Sequence, residues 1–159
     1  MAAANLPERG RHNLVVPGLA PVYAALAPLA EPLVRVTAGL LLVPHGAQKL
    51  FGLFGGSGLA GTAQFLDSAG YAPGLLWALM IGLTEFGGGL LLALGLLTRP
   101  AAASIATFLA VAVVHHWPQG FSWSDGGFEY PLLWCVVALA FAVRGGGRYS
   151  LDTALGREV

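Results

Sequence analysis

Long apolar blocks dominate this chain and restrict it to folds in which helices can cross a lipid bilayer. Four blocks approach or exceed the roughly 20 helical residues that span a bilayer: 32–51, 72–97, 101–117 and 129–143. The chain is 56% hydrophobic and 10% charged, whereas about a quarter of the residues in an average soluble domain are charged. Too few polar groups remain to cover a water-soluble surface. The sequence therefore predicts an all-α polytopic membrane protein with a bundle of four transmembrane helices.

The segments outside these blocks divide the chain into an arm, a membrane domain and a tail. Prolines interrupt the apolar part of residues 1–31, and we expect an N-terminal arm that is mobile or lies at the membrane interface. Residues 32–144 are the expected transmembrane domain, in which Pro44 should kink the first span by freeing a backbone carbonyl. A short helix is expected around Thr62–Ala69. Residues 145–159 read as a polar cytoplasmic tail.

The basic residues predict the orientation. With four crossings, the N-terminus, the turn after the second span and the C-terminus lie on one side of the membrane. That side carries Arg9, Arg11, Arg35, Arg99, Arg144, Arg148 and Arg157, and the other side carries Lys49. The positive-inside rule then places both termini in the cytoplasm. The aromatic residues expected at the outer interface are Tyr71, Trp77, Trp117, Trp123, Tyr130 and Trp134.

Four ionisable residues, one in each span, fall at nearly the same predicted depth. The ruler is a set of arginines at the inner ends of the spans, namely Arg35, Arg99 and Arg144. Lys49 is fourteen residues from the first of these and Glu85 fourteen from the second, so each lies about 21 Å from the inner interface. His115 and Glu129 fall at about 22–24 Å on the same scale. All four are therefore expected in the outer half of the membrane.

Glu85 is the most unusual residue of the second block, because its neighbours are leucine, alanine and glycine. A charge at the bilayer centre costs about 2.5–3.5 kcal/mol even on the lenient insertion scale, and pairing with an opposite charge lowers that cost. Both Glu85 and Lys49 share helix faces with small residues, which allow helices to approach closely in membranes. We predict a Glu85–Lys49 pair inside the bundle. The glycines expected at helix contacts are Gly46, Gly82, Gly88 and Gly89.

The polar residues at this level are predicted to form an outward-opening chamber that binds a quinone or another small molecule. Its members are His45, Gln48, Lys49, Glu85, His115, His116 and Glu129. Glu85, Lys49 and His115 are the candidates for a catalytic role. Two simpler interpretations stay open: several of these side chains snorkel to the outer headgroups, or the Glu85–Lys49 pair only fixes helix register.

Other cofactors are less compatible with the spacing. Haem ligation by His45 and His115 is disfavoured, because their predicted depths differ by about 9 Å. No spacing typical of a metal site is present, and Cys135 is interpreted as a packing residue. The zero net charge gives no indication of nucleic-acid binding. The expected partners are membrane lipids, together with a partner protein or further copies of the chain.

Three stretches of the sequence resemble the DoxX family of small bacterial membrane proteins. They are RVTAGLLLVPHGAQKLFG at Arg35–Gly52, EFGGGLLLALGLLTRPAA at Glu85–Ala102, and GGGRYSLD at Gly145–Asp152. The resemblance implies a four-helix membrane bundle in the bacterial inner membrane, and name-giving members act in quinone-linked oxidation of sulfur compounds. The positions that the resemblance marks as shared are Arg35, Gly46, Lys49, Glu85, Gly88, Gly95 and Arg99.

Three functions are compatible with these features. The first is a membrane subunit of a quinone-linked redox complex, whose chamber binds a quinone headgroup and passes protons. The second is a non-catalytic accessory subunit that anchors a partner protein. The third is a small transporter or proton conduit, which the absence of an inverted repeat in the sequence makes weaker.

Overall fold

The computed structural model describes residues 14–156, and the regular elements within this range are all helical. The helices are α1 (Ala20–Phe51), α2 (Gly58–Ser68), α3 (Gly74–Leu83), α4 (Gly89–Leu94), α5 (Thr98–His116), α6 (Glu129–Arg144) and α7 (Leu151–Ala154). A π-helical segment, Thr84–Gly88, joins α3 to α4 without a break. Glycines with positive φ follow two of the helices, Gly52 after α1 and Gly95 after α4, as expected for left-handed helix caps.

Three helical stretches in the described range are long and apolar enough to cross a membrane. They are Pro17–Phe51, Gly74–Leu94 and Thr98–Gln119. They match the first three predicted spans, and the chain is an all-helical membrane protein. α6 has 16 residues, or about 24 Å, which is shorter than the usual span of about 20 residues. The fourth crossing and the cytoplasmic termini stay predictions.

The first helix begins at Ala20, twelve residues before the predicted start of the first span at residue 32. It runs through Pro28, Pro32 and Pro44 as one helical element. The early prolines predicted an interruption before residue 32, but prolines are tolerated inside apolar helices where other groups satisfy the freed backbone. Part of the predicted arm is therefore helical. Residues 1–13 lie outside the described range, and the interfacial position of the arm stays a prediction.

The helices pack in a cyclic order. α1 contacts α3, the π segment and α4; α4 contacts α5; α5 packs along α6; and α6 returns to α1. The shared core is rich in small side chains and comprises Ala38, Leu92, Ala102, Ile105, Ala106, Leu109, Cys135, Ala138 and Phe141. Small residues let helices approach closely where lipid removes the usual hydrophobic driving force. Cys135 is buried in this core, as the sequence predicted.

Large apolar side chains lie mostly on the outside of the helices. Val111, Val114, Leu133 and Val136, for example, are all more than half exposed. In water this distribution would be unfavourable, but lipid is as apolar as these side chains. The short helix predicted around Thr62–Ala69 is present as α2, which packs on α3 through Ala63, Leu66 and Ala78.

Candidate functional site

The predicted Glu85–Lys49 pair is present. The Lys49 ammonium lies 2.7 Å from Glu85 Oε2 and 3.0 Å from Oε1, so it donates to both carboxylate oxygens. The same nitrogen is 3.5 Å from the backbone carbonyl of His45, one turn earlier on α1. The depth argument from the sequence therefore placed these two residues correctly relative to each other.

Glu85 belongs to the π-helical segment Thr84–Gly88. A π turn inserts one extra residue into an α-helix; such turns are rare and are frequently found at functional sites. Here it carries the acidic residue of the pair and is followed by continuous helix into α4. No pattern in the sequence predicted this segment. The run of glycines at 87–89 is compatible with it, because glycine tolerates unusual backbone geometry.

Glycines bring α1 and the π segment close enough for the pair to form. A β-carbon at Gly46 would overlap the backbone and Cβ of Phe86, and one at Gly89 would lie 2.8 Å from the carbonyl oxygen of Gly39. At Gly82 it would meet the end of the Leu50 side chain. At three of the four glycines predicted at helix contacts, a β-carbon would therefore overlap atoms of the facing helical element. A β-carbon at Gly88, the fourth, would make only ordinary van der Waals contact with the Ile105 side chain on α5.

The two ends of the pair differ in exposure. The Glu85 side chain is 6% exposed, whereas that of Lys49 is 28% exposed. The exposed residue His45 lies one turn before Lys49, and the rings of Phe51 and Phe86 meet edge-to-face at 5.4 Å. A buried acid thus holds an amine that reaches the surface of the helical domain. Another ligand can approach the amine without displacing the acid.

The structure separates the rest of the predicted chamber from this pair. His115 Nδ1 is 3.4 Å from the Tyr71 hydroxyl, and His116 Nδ1 is 2.7 Å from the carbonyl of Gly126. Glu129 is exposed and accepts a hydrogen bond from the Trp123 backbone N–H at 3.1 Å. Among residues 14–156, no hydrogen bond or ring contact joins His115, His116 or Glu129 to Lys49 or Glu85. His116 and Glu129 instead bond to the loop between α5 and α6, and His115 bonds to Tyr71 in the loop between α2 and α3.

Gln48, the remaining chamber residue, also turns to a loop. Its amide donates to the carbonyl of Phe54 at 3.2 Å, beyond the end of α1. Equal depth was sufficient to predict one contact but not a common chamber, because depth carries no information on direction around the helix axes. Within the described range, no group of three or more His, Cys, Asp and Glu side chains is arranged for a metal ion.

Arg35 has a different role from the interface marker that the sequence predicted. It is 1% exposed, and its guanidinium donates to the carbonyls of Leu92 and Ala93, both at 2.8 Å, and of Tyr149 at 2.7 Å. Arg35 therefore satisfies carbonyl groups at the end of α4 and holds the C-terminal segment against α1. A β-carbon at Gly95 would overlap this guanidinium, which explains the glycine there.

The predicted polar tail is partly an element of the fold. Asp152 is 5% exposed and accepts from the backbone N–H groups of Leu97 and Thr98, at 2.8 and 2.9 Å, and from the Thr98 hydroxyl at 2.7 Å. Leu97 has a left-handed backbone, φ 48°, which is strained for leucine, and Asp152 fixes it there. We call the buried Arg35 and Asp152, with the segments they hold, the inner lock, a name that follows the predicted orientation.

The pKa of Asp152 lies below its ordinary value. Burial alone would raise it, but the hydrogen bonds from Thr98 and Leu97, together with the positive charge of Arg35, outweigh burial. The other two arginines of the ruler differ from Arg35 in exposure. Arg99 is half-buried in the first turn of α5, and the 70% exposed Arg144 donates to Glu31 at 2.7 Å.

Comparison with known proteins gives the family. The DoxX family model matches residues 30–117. The chain is 33% identical over 125 residues to the "Inner membrane protein YqjF" of Escherichia coli, which covers 78% of this chain and 90% of that protein. It is 36% identical over 66 residues to an "Uncharacterized protein" of Haemophilus influenzae, covering 41% of this chain and 44% of that one. No solved structure matches.

Proposed function

The chain belongs to the DoxX family of multi-pass bacterial membrane proteins, and from this premise we propose that it is a membrane subunit of a quinone-linked redox complex. In this proposal four helices cross the inner membrane with both termini inside. The Lys49–Glu85 pair binds the polar headgroup of the quinone. The observation that carries the proposal is the buried carboxylate on a π segment, which holds a partly exposed amine.

The chemistry requires a donor where negative charge develops. Reduction of a quinone to a quinol takes two electrons and two protons. The electrons would come from a redox-active partner subunit and the protons from bulk water. The Lys49 ammonium can donate a hydrogen bond to a quinone carbonyl and stabilise the charge as electrons arrive. The Glu85 carboxylate holds that nitrogen in position, because it accepts two hydrogen bonds from it. Burial of Glu85 strengthens this interaction by excluding water.

A second function, anchoring of a partner protein, is favoured by the length of α1. The helix extends 15 residues before Arg35, about 22 Å, and its large apolar side chains there are exposed. The inner lock marks the ends of α4 and α5, so this part of α1 projects beyond them. A hydrophobic helix in that position suits a subunit that holds another protein at the membrane.

Quinone binding by protein in lipid nanodiscs separates the two functions. A short-chain ubiquinone analogue would be titrated in, and bound analogue measured by mass spectrometry. We expect Lys49→Met to weaken binding at least tenfold and Glu85→Gln to weaken it less. Asp125→Asn, which removes an exposed carboxylate in the outer loop, should bind as the wild type does. Equal binding by all variants would overturn the quinone proposal. Gentle extraction yielding a stoichiometric partner chain and no quinone would favour anchoring.

A further inference from the structure

An amphipathic groove lies at the end of the molecule where α6 finishes, away from the Lys49–Glu85 pair. Its volume is about 260 Å³, and it separates α1 from the segment that follows α6. One wall consists of apolar side chains of α1, and the other carries two arginines. The lining residues are Ala24, Ala27, Pro28, Glu31, Pro32, Arg144 and Arg148.

The groove has more hydrogen-bond donors than acceptors. Arg144 donates through Nε to Glu31 at 2.7 Å, which engages one of its five N–H groups. Arg148 is exposed, lies 5.6 Å from the centre of the Tyr149 ring, and makes no hydrogen bond to the described part of the protein. Two positive charges against one negative charge leave the groove with a net charge of +1. Planar guanidinium groups suit a phosphate ligand.

The position of the groove favours a lipid phosphate over a free one. An exposed apolar stripe on α6, formed by Val136, Leu139 and Val143 at helical spacing, ends one residue before Arg144. Acyl chains lying on this stripe would bring a headgroup to the level of the two arginines. Basic pockets at the ends of membrane helices are a known form of anionic lipid recognition.

We propose that this groove binds the phosphodiester headgroup of an anionic phospholipid, with Arg144 and Arg148 as its ligands. Glu31 is a competitor for Arg144, because it already occupies Nε. On a general basic surface, removal of a carboxylate or an arginine changes lipid binding only through the net charge. In this groove, removal of Glu31 would also free Arg144 Nε to bind the lipid phosphate.

The test measures lipid binding in mild detergent by native mass spectrometry, with dioleoyl phosphatidylglycerol as the probe and zwitterionic phosphatidylcholine as the reference. We expect a preference for phosphatidylglycerol in the wild type. Arg144→Gln/Arg148→Gln should bind it at least tenfold more weakly, and Glu31→Gln about threefold more tightly. The increase is informative because a misfolded variant would not bind more tightly. Arg157→Gln is the control for Arg148→Gln: it removes one charge from the same terminal region and should have little effect on binding of phosphatidylglycerol.

Inorganic phosphate separates the two possible sources of the ligand. Added at millimolar concentration, it should leave retention of phosphatidylglycerol unchanged and should not raise the melting temperature. Stabilisation by phosphate together with loss of the lipid preference would overturn the proposal in favour of a free anion. Equal lipid binding by the double arginine variant and the wild type would overturn it altogether.

Discussion

Two ionic sites in the helical domain, the inner lock and the Lys49–Glu85 pair, use charge in different ways. In the inner lock, Arg35 and Asp152 are 1% and 5% exposed, and each makes three hydrogen bonds, five of the six to backbone groups. In the outer pair, Lys49 and Glu85 bond mainly to each other, and Lys49 is 28% exposed. Charges bonded to the backbone fix the chain in place. In the Lys49–Glu85 pair, the exposed Lys49 ammonium can bond to another ligand.

The difference suggests separate roles for the two sites. The inner lock joins α1, the strained turn between α4 and α5, and the C-terminal segment, so loss of either charge should loosen three parts of the chain together. The outer pair joins only α1 and the π segment. We therefore expect substitutions at the inner lock to change stability most, and those at the outer pair to change ligand binding most.

Removal of the Arg35 side chain should have the largest effect. Arg35→Ala leaves three carbonyls without their donor, one of them buried and two partly buried. At about 1–3 kcal/mol each, we expect a total loss of about 4 kcal/mol in the free energy of unfolding. Arg35→Lys should recover only part of it, because one ammonium cannot replace a planar fork of donors. Unfolding in mixed detergent, followed by circular dichroism, measures both. A loss no greater than that of Lys49→Ala would contradict the comparison.

Asp152→Asn should be the next most damaging change. The amide presents one oxygen and one NH2 group to three donors, so at least one hydrogen bond to the strained turn is lost, at a cost of about 3 kcal/mol in unfolding free energy. Unfolding in mixed detergent, followed by circular dichroism, also measures this loss. Deletion of residues 148–159 should destabilise at least as much, since it removes Asp152 and Tyr149 together. A stable truncated protein would show that the C-terminal segment is dispensable.

Acid should release the inner lock in the wild type. The pKa of Asp152 is lower in the folded protein than in the unfolded chain, so its contribution is fully present above the ordinary value of about 3.9 and is lost as the pH falls through the lowered value. Melting temperatures between pH 6 and pH 3 should fall more steeply for the wild type than for Asp152→Asn. Parallel curves would exclude Asp152 as the group responsible.

Two glycines near the Lys49–Glu85 pair, one on α1 and one on the π segment, test whether these two elements must lie close together. Gly46→Ala places a methyl group against the Phe86 backbone and should cost about 2 kcal/mol as the helices separate. Gly87→Ala is the matched control, because a β-carbon there meets nothing within 4 Å. The thermal stability of the two variants in detergent should differ accordingly. Similar losses would indicate that α1 does not depend on this close approach.

Substitutions in the outer pair, Lys49 and Glu85, should change the free energy of unfolding least. Breaking a buried ion pair costs about 3–5 kcal/mol, but the exposure of Lys49 and the retained amide acceptor in Glu85→Gln reduce this to about 1 kcal/mol. In the double variant Lys49→Met/Glu85→Gln, stability should return to within about 0.5 kcal/mol of the wild type, while quinone binding stays lost. A full double-mutant cycle measures the coupling. Quinone binding by the double variant would indicate that the pair has only a structural role.

The Lys49–Glu85 contact was predictable because a charge inside an apolar span must find a partner at its own depth, and residue counting gives depth. The chamber was not, because His115, His116 and Glu129 lie at a suitable depth but interact with loop groups. Arg35 was predicted only as a marker of the inner end of the first span, and its contacts were not predicted. An arginine at the end of a span looks the same in sequence whether it bonds to lipid or to the carbonyls of a neighbouring helix.

The amino-acid sequence alone determined the class of this protein, since apolar blocks of bilayer length and few charges leave only a helical membrane protein. It also determined that an acid and an amine must pair, because desolvation makes an isolated charge costly in lipid. Only the tertiary structure decided which face each helix turns to its neighbours. That choice depends on the shapes of all packed side chains together, and it buries Asp152 of the apparent tail while leaving Glu129 of the apparent chamber exposed.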